Sequence, residues 1–262
     1  MRWFLLLAAS AGSLFAQLAA PNASGVSAGH VHLVVEDPDA QKKLWVGLLG
    51  AEATHAGTLE LLKLPGIFIV LGKARTAPTG GSDGSAANHF GFRVPSYTAM
   101  KAKAAAANLP VARDIPDGKK FIVEFPEKVR VEFAEDPDLK VPFVFDHFHI
   151  ATTDPESLRA WYVKTFGATA GQRANFLAAK LPGGEVDFIK ADAAPAPTKG
   201  RALDHIGFEI KGLDEFCKKL QADGVPFDMA YREMPQLGGL KIAFIIDPVG
   251  TRIELTEGLA VH

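Results

Sequence analysis

Four segments of the chain alternate polar or small residues with large apolar ones. They are His30-Val31-His32-Leu33-Val34-Val35, Asn88-His89-Phe90-Gly91-Phe92-Arg93-Val94, Asp146-His147-Phe148-His149-Ile150-Ala151 and Asp204-His205-Ile206-Gly207-Phe208-Glu209-Ile210. A period of two is that of a strand with one buried face. Helical spacing follows each. Asp37-Pro38-Asp39 and Asp154-Pro155-Glu156 put an Asp N-cap before a Pro at the first helical position, and runs 40–49 and 157–166 continue with apolar residues at helical intervals. Runs 97–108 and 213–223 do the same after the second and fourth segments. Short apolar strands come next, at 59–62 and 67–71, 121–125 and 129–133, 174–180 and 185–189, 243–246 and 252–256. The pattern predicts an α+β chain in which one unit, a strand, a helix and about three strands, is written four times.

Stretches 75–87 and 191–199 are rich in Gly, Ala, Pro, Ser and Thr and are expected to link modules within a pair. The charged turn Glu135-Asp136-Pro137-Asp138 is expected to separate two domains, with the boundary near Lys140. The expected organisation is therefore one domain at 28–138 and a second at 142–258. Residues 1–20 are different in kind. Arg2 precedes an apolar run from Trp3 to Leu14 that is too short to span a bilayer, and small residues follow around 16–20. That is the pattern of a secretory signal peptide, with a mature chain starting between Gln17 and Pro21 and a periplasmic or secreted destination. No membrane attachment beyond export is expected.

Composition narrows the partners. With 262 residues and 48% hydrophobic side chains, the chain can fill one large core or two smaller ones. Its 28 basic and 30 acidic side chains leave a net charge of -2, so no long-range field favours nucleic acid. The single cysteine, Cys217, falls in a helical run and can form no intrachain disulfide.

Strand parity supplies the chemistry. Alternate side chains share a face, so His30 and His32 point away from Val31, Leu33 and Val35, and His147 and His149 likewise share one face. On the corresponding faces lie His89, His205, Glu132 and Glu254. The spacing repeats, with 59 positions from His30 to His89 and 58 from His147 to His205. Two imidazoles and one carboxylate suit Fe(II), Mn(II), Zn(II) or Ni(II) and leave open positions for a substrate. His32 and His149 stand two residues further along the same strands, where either could serve as a base, and Arg252 is the arginine best placed for an anionic substrate.

The Asp-His-Ile-Gly-Phe segment at 204–208 and Asp247-Pro248-Val249-Gly250-Thr251-Arg252-Ile253-Glu254-Leu255 resemble the vicinal oxygen chelate superfamily. That group includes glyoxalase I, fosfomycin resistance enzymes, bleomycin-binding proteins and extradiol dioxygenases. The resemblance covers nearly the whole mature chain and implies four βαβββ modules, paired into two glyoxalase-like domains with cup-shaped mixed sheets. It carries divalent-metal ligands onto His30, His89 and Glu132 in the first domain and onto His147, His205 and Glu254 in the second. It also offers Asp187, in Val186-Asp187-Phe188, as a fourth ligand where the first domain has Val70. The second domain is thus expected to hold the working site.

The expected function is an exported, metal-dependent enzyme of isomerase or lyase type acting on a small molecule with vicinal oxygens. An extradiol Fe(II) dioxygenase is the second reading, set back by Phe244 where that branch carries a tyrosine. A non-catalytic binding protein of the bleomycin-resistance kind is the third. Either a monomer or a homodimer fits.

Overall fold

A computed structural model describes residues 18–262; the predicted signal segment falls mostly on residues 1–17, outside the described part. The first module comprises β1 (Val26–Val35), α1 (Pro38–Leu49), β2 (Glu52–Ala56), β3 (Leu59–Leu64) and β4 (Ile67–Lys73). The second comprises β5 (Ala87–Val94), α2 (Tyr97–Ala106), β6 (Val111–Ile115), β7 (Lys120–Phe125) and β8 (Val129–Glu135). The third comprises β9 (Val144–Thr152), α3 (Pro155–Phe166), β10 (Thr169–Arg173), β11 (Phe176–Leu181) and β12 (Gly184–Lys190). The fourth comprises β13 (Leu203–Ile210), α4 (Leu213–Ala222), β14 (Phe227–Met234), β15 (Leu240–Ile246) and β16 (Arg252–Glu257).

The helices start where the sequence places their caps. Asp37 accepts from the Ala40 N–H and Asp154 from the Ser157 N–H, each ahead of a proline, and Gly50 and Gly167 close α1 and α3 in the left-handed region at φ 68 and 63. The strand expected over 174–180 is shorter. Ala174, at φ 49, turns the chain between β10 and β11.

The modules pair differently from the expectation. One eight-stranded sheet runs β14-β15-β16-β13-β1-β4-β3-β2 and joins the first and fourth modules; the other runs β10-β11-β12-β9-β5-β8-β7-β6 and joins the second and third. We call them the terminal cup and the central cup. Neither corresponds to 28–138 or to 142–258, because each of those spans contributes one module to each sheet. Linker length gives the reason. From Glu135 to Val144 the chain has only a short return, enough to lay β9 antiparallel beside β5, so the charged turn lies inside one sheet. The longer glycine- and proline-rich stretches cross from one sheet to the other. There they run together: Ser85 bridges Ala196, and the Ala86 N–H donates to the Ala196 carbonyl at 2.8 Å.

The apolar faces of both sheets and the helices share one core. Trp45 of α1 stacks on Phe125 of β7 at 4.2 Å between ring centroids, and Phe148 of β9 meets Phe208 of β13 at 6.0 Å. The opposite faces, which carry the histidines, line the two cups. Cys217 is buried in this core, where burial raises its thiol pKa to about 11. Among the described residues no helix is long and apolar enough to cross a membrane.

Candidate metal centres

Each of the four candidate ligand histidines follows a bulged residue. Ala28 pairs with Phe208 and His30 with Gly207, leaving Gly29 out of register, and the opposing strand leaves out Asp204. In the central cup Asn88 and Asp146 are left out in the same way. A bulge re-aims side chains, and here it folds the preceding residue back onto the imidazole. Asn88 Oδ1 lies 2.8 Å from His89 Nδ1, Asp146 Oδ2 3.0 Å from His147 Nδ1, and Asp204 Oδ1 2.7 Å from His205 Nδ1. Such partners fix the ring and leave Nε2 facing the site. At Gly29 no side chain exists to do this, and His30 Nδ1 is buried without a partner.

Glycine supplies the space. A Cβ on Gly91 would lie 2.3 Å from His147 Cε1, and one on Gly207 would lie 2.0 Å from His30 Cε1. The imidazole of one module therefore lies over the glycine two residues beyond the ligand histidine of the other.

The pairing regroups the predicted ligands. In the terminal cup His30 Nε2 and His205 Nε2 stand 2.8 and 2.9 Å from the same oxygen, Glu254 Oε2. In the central cup His89 Nε2 is 3.7 Å from Glu132 Oε2 and His147 Nε2 is 3.9 Å from Glu132 Oε1. His149 completes a three-histidine cluster there, with Nδ1 2.8 Å from His89 Nε2. The expected sets His30/His89/Glu132 and His147/His205/Glu254 are thus each split between cups. The site expected in the second domain, His147, His205 and Glu254, does not come together as a unit.

Strand register makes the two cups comparable. Glu132 pairs with Gly91 and Glu254 with Gly207, while Asp187 pairs with His149 and Val70 with His32. Asp187 therefore holds the position equivalent to Glu132 in the neighbouring module, and Val70 holds it in the terminal cup.

Beyond the ligands the cups diverge. Arg113 opposes Ile122 as Met229 opposes Phe244, and Ile122 opposes Glu132 as Phe244 opposes Glu254. Two residues back along the strand, Lys120 of the central cup matches Ile242 of the terminal cup. The central cup opens into a cavity of about 460 Å³ lined by His89, Glu132 and His149 together with Arg113, Lys120 and Arg130. The terminal cup is filled by apolar side chains, among them Phe68, Val70, Ile242 and Phe244, with Leu18 and Leu259 packed onto them from the two ends of the described chain.

Burial sets the protonation states. Loss of water pushes His89 down to about 4, pushes His32 down to about 3, and holds His149 well below the usual histidine range. Burial alone would raise the Glu132 carboxyl, but His89, His147 and Lys120 around it outweigh that and hold it low. His89 and His149 are thus neutral beside an ionised Glu132, the state in which such groups ligate metals. Four of its buried atoms, Glu132 Oε1, His147 Nε2, His149 Nε2 and Asp187 Oδ1, have no hydrogen-bond partner. Buried polar atoms without partners are rare, and a cation among them would satisfy several at once. The residues present fit a divalent metal.

Two predicted roles change. Arg252 does not reach freely for a substrate: its Nη1 donates to Asp204 Oδ1 at 2.8 Å, its Nε donates to Asp228 Oδ2 at 2.9 Å, and it lies over Phe244. It steadies the carboxylate that orients His205. His149, expected to act beside His205, lies instead in the central cup. Sequence reasoning missed Arg173, whose Nη1 donates to Asp187 Oδ2 at 2.8 Å. It also missed the orienting role of Asn88, Asp146 and Asp204, although an Asn or Asp directly before three of the four histidines was a visible signal.

Residues 144–255 match the model of the Glyoxalase/Bleomycin resistance protein/Dioxygenase superfamily. No curated protein sequence matches the chain. Glyoxalase I from Zea mays superposes with a TM-score of 0.70 at 14% identity, covering 90% of this chain and 94% of its own. A candidate dioxygenase of Bacillus subtilis subsp. subtilis str. 168 superposes with a TM-score of 0.67 at 14% identity, covering 92% and 86%. At such identity these two structures share a fold with the chain and nothing finer. Residues 144–255, the third and fourth modules, are thus similar to the glyoxalase/bleomycin resistance protein/dioxygenase superfamily, and the described chain shares the fold of glyoxalase I.

Proposed function

We propose that the protein is a metal-dependent enzyme whose working site is the central cup, and that it performs isomerase or lyase chemistry on a small anionic molecule with two adjacent oxygens. The observation that carries this is the meeting, in one cavity, of the partnerless Glu132 Oε1 and His149 Nε2 with the cationic side chains of Arg113, Lys120 and Arg130. His89, His147 and Glu132 would hold Fe(II), Mn(II), Zn(II) or Ni(II), which as a Lewis acid supplies stabilisation of negative charge on the substrate oxygens. Arg113 and Lys120 draw the anion in and orient it. His149, neutral and with Nε2 unpartnered, accepts the proton leaving the carbon beside the oxygens, and Asp187 Oδ2, 4.0 Å away, steadies the imidazolium that results.

The terminal cup holds a similar ligand set without room for a substrate. An ion there would fasten the first module to the fourth.

The metal-loaded protein is expected to exchange the carbon-bound proton of at least one small α-hydroxycarbonyl acid for deuterium in D2O, followed by NMR. No exchange across a panel of such acids would count against the isomerase reading. Ring cleavage remains the second reading because a neutral histidine adjoins the two-histidine, one-glutamate set. Ile122 stands in the central cup where Phe244 stands in the terminal one, so neither cup places a tyrosine there. Rapid oxygen uptake with catechols by the Fe(II)-loaded protein would reverse the order of the two.

Export belongs to the same proposal. It is supported by Arg2, the apolar run to Leu14 and the small residues after it. Leu18 packs into the terminal cup, and the Asn22 carboxamide donates to the Phe166 and Gly167 carbonyls at 3.0 and 3.1 Å. The mature chain is therefore expected to begin no later than Leu18. Mass spectrometry of protein from its native envelope checks this; an intact Met1 on a cytoplasmic protein would contradict export.

A further inference from the structure

Asp187 stands at the strand position equivalent to Glu132, fully buried, yet its Oδ2 is already taken by Arg173. Arg173 ends the edge strand β10 and reaches into the cup. Its Nη2 donates to Asp146 Oδ2 at 2.5 Å and stands 3.7 Å from Glu132 Oε1, and its Nε lies 3.5 Å from Glu185 Oε1. We propose that the Arg173–Asp187 pair keeps Asp187 out of the coordination sphere, so that the central cup holds its divalent cation with three protein ligands, His89, His147 and Glu132. This rests on the reading that the central cup binds a metal.

Geometry supplies the first argument. Glu132 spans the two ligand histidines, with one oxygen toward each. Asp187 is one methylene shorter, and among the described residues the one histidine nitrogen within 4.0 Å of its oxygens is His149 Nε2. Turning Asp187 toward a metal would break a charge-assisted hydrogen bond and bring a divalent cation beside a guanidinium that is only 20% exposed and has lost one of its carboxylate partners.

The terminal cup supplies the second. Arg173 opposes Phe176 as Ala56 opposes Leu59, and Asp187 opposes Ala178 as Val70 opposes Leu61. Ala56 and Val70 thus replace both halves of the pair together, and His30, His205 and Glu254 still converge. An ion pair requires both partners. A fourth ligand would require no arginine.

Asp187 Oδ1 has no partner, so the experiment must show whether a metal uses it. Parent, Arg173→Ala/Asp187→Val and Glu132→Gln proteins would be dialysed against Co(II), the bound ions counted per chain, and the visible absorption recorded, with folding followed by circular dichroism. The double variant carries the terminal cup's own residues and removes both members of the pair; Asp146 keeps Arg93 and His147, and Glu185 gives up its 3.5 Å contact with Arg173. It is expected to bind as many ions as the parent, with affinity within about threefold and unchanged absorption, whereas Glu132→Gln binds one fewer; a lost ligand group is worth about 10- to 100-fold or more. The single Arg173→Ala change frees Asp187 and is expected to tighten the central ion about tenfold, with weaker absorption as the coordination number rises. If the double variant loses the ion as Glu132→Gln does, Asp187 is a ligand and the proposal is overturned. Equal ion counts in parent and Glu132→Gln would remove the metal reading of the cup itself, and this proposal with it.

Discussion

Glu132→Gln is expected to lower kcat/KM for deuterium exchange at least about 1000-fold, while Glu254→Gln leaves it within about threefold. The two glutamates occupy equivalent strand positions, and each stands between two ligand histidines. Of the two, Glu132 lines the cavity, whereas Glu254 stands opposite Phe244, which packs with Phe68 and Val70. Its loss should appear in stability instead. Glu254 Oε2 meets both His30 and His205, and weakening a buried charge-assisted contact costs about 1–3 kcal/mol, or several degrees in Tm for a chain of this size. Exchange kinetics and thermal melts of the two variants check this. Activity lost at Glu254→Gln and kept at Glu132→Gln would move the working site to the terminal cup.

The segment 142–258, expressed alone, is expected not to fold as a monomer. It contains the third and fourth modules, and these belong to different sheets. Without residues before 142, β9 loses β5 and β13 loses β1, and each exposes a long central strand as an edge. Phe148 and Phe208 remain, but the wall formed by Trp45, Phe90, Phe92 and Phe125 is gone. Two copies could restore both cups by exchanging modules, so the soluble form is expected to be a dimer. Size-exclusion chromatography with light scattering, beside a thermal melt, decides it. A monomeric segment with a cooperative melt would mean that consecutive modules can pair after all.

Why the pairing was hidden while the modules were plain follows from the residues themselves. Alternation in 30–35 and 146–151, with Asp-Pro at 37–38 and 154–155, fixes local structure because a strand must bury one face and a helix must cap its first N–H groups. The six candidate ligand positions could be read for the same reason: parity puts them on the polar faces. All four first strands, however, present the same kind of inner face to a neighbour, so either pairing satisfies the pattern equally. The choice rests on what the short return from Glu135 to Val144 can span, and alternation does not record that. Edge strands β6 and β10 were faint because they are largely exposed and carry no apolar stripe. Arg173 ends one of these, and nothing near it in the chain says that it turns inward toward Asp187. The contrast between Lys120 and Ile242, which separates an open cup from a filled one, emerges only once the strands are in register.

Crystals grown with Co(II) and measured at its absorption edge test the central claim most directly. The prediction is an anomalous peak among His89, His147 and Glu132, with the cavity beside it open to solvent. A peak confined to His30, His205 and Glu254, with none in the central cup, would contradict it.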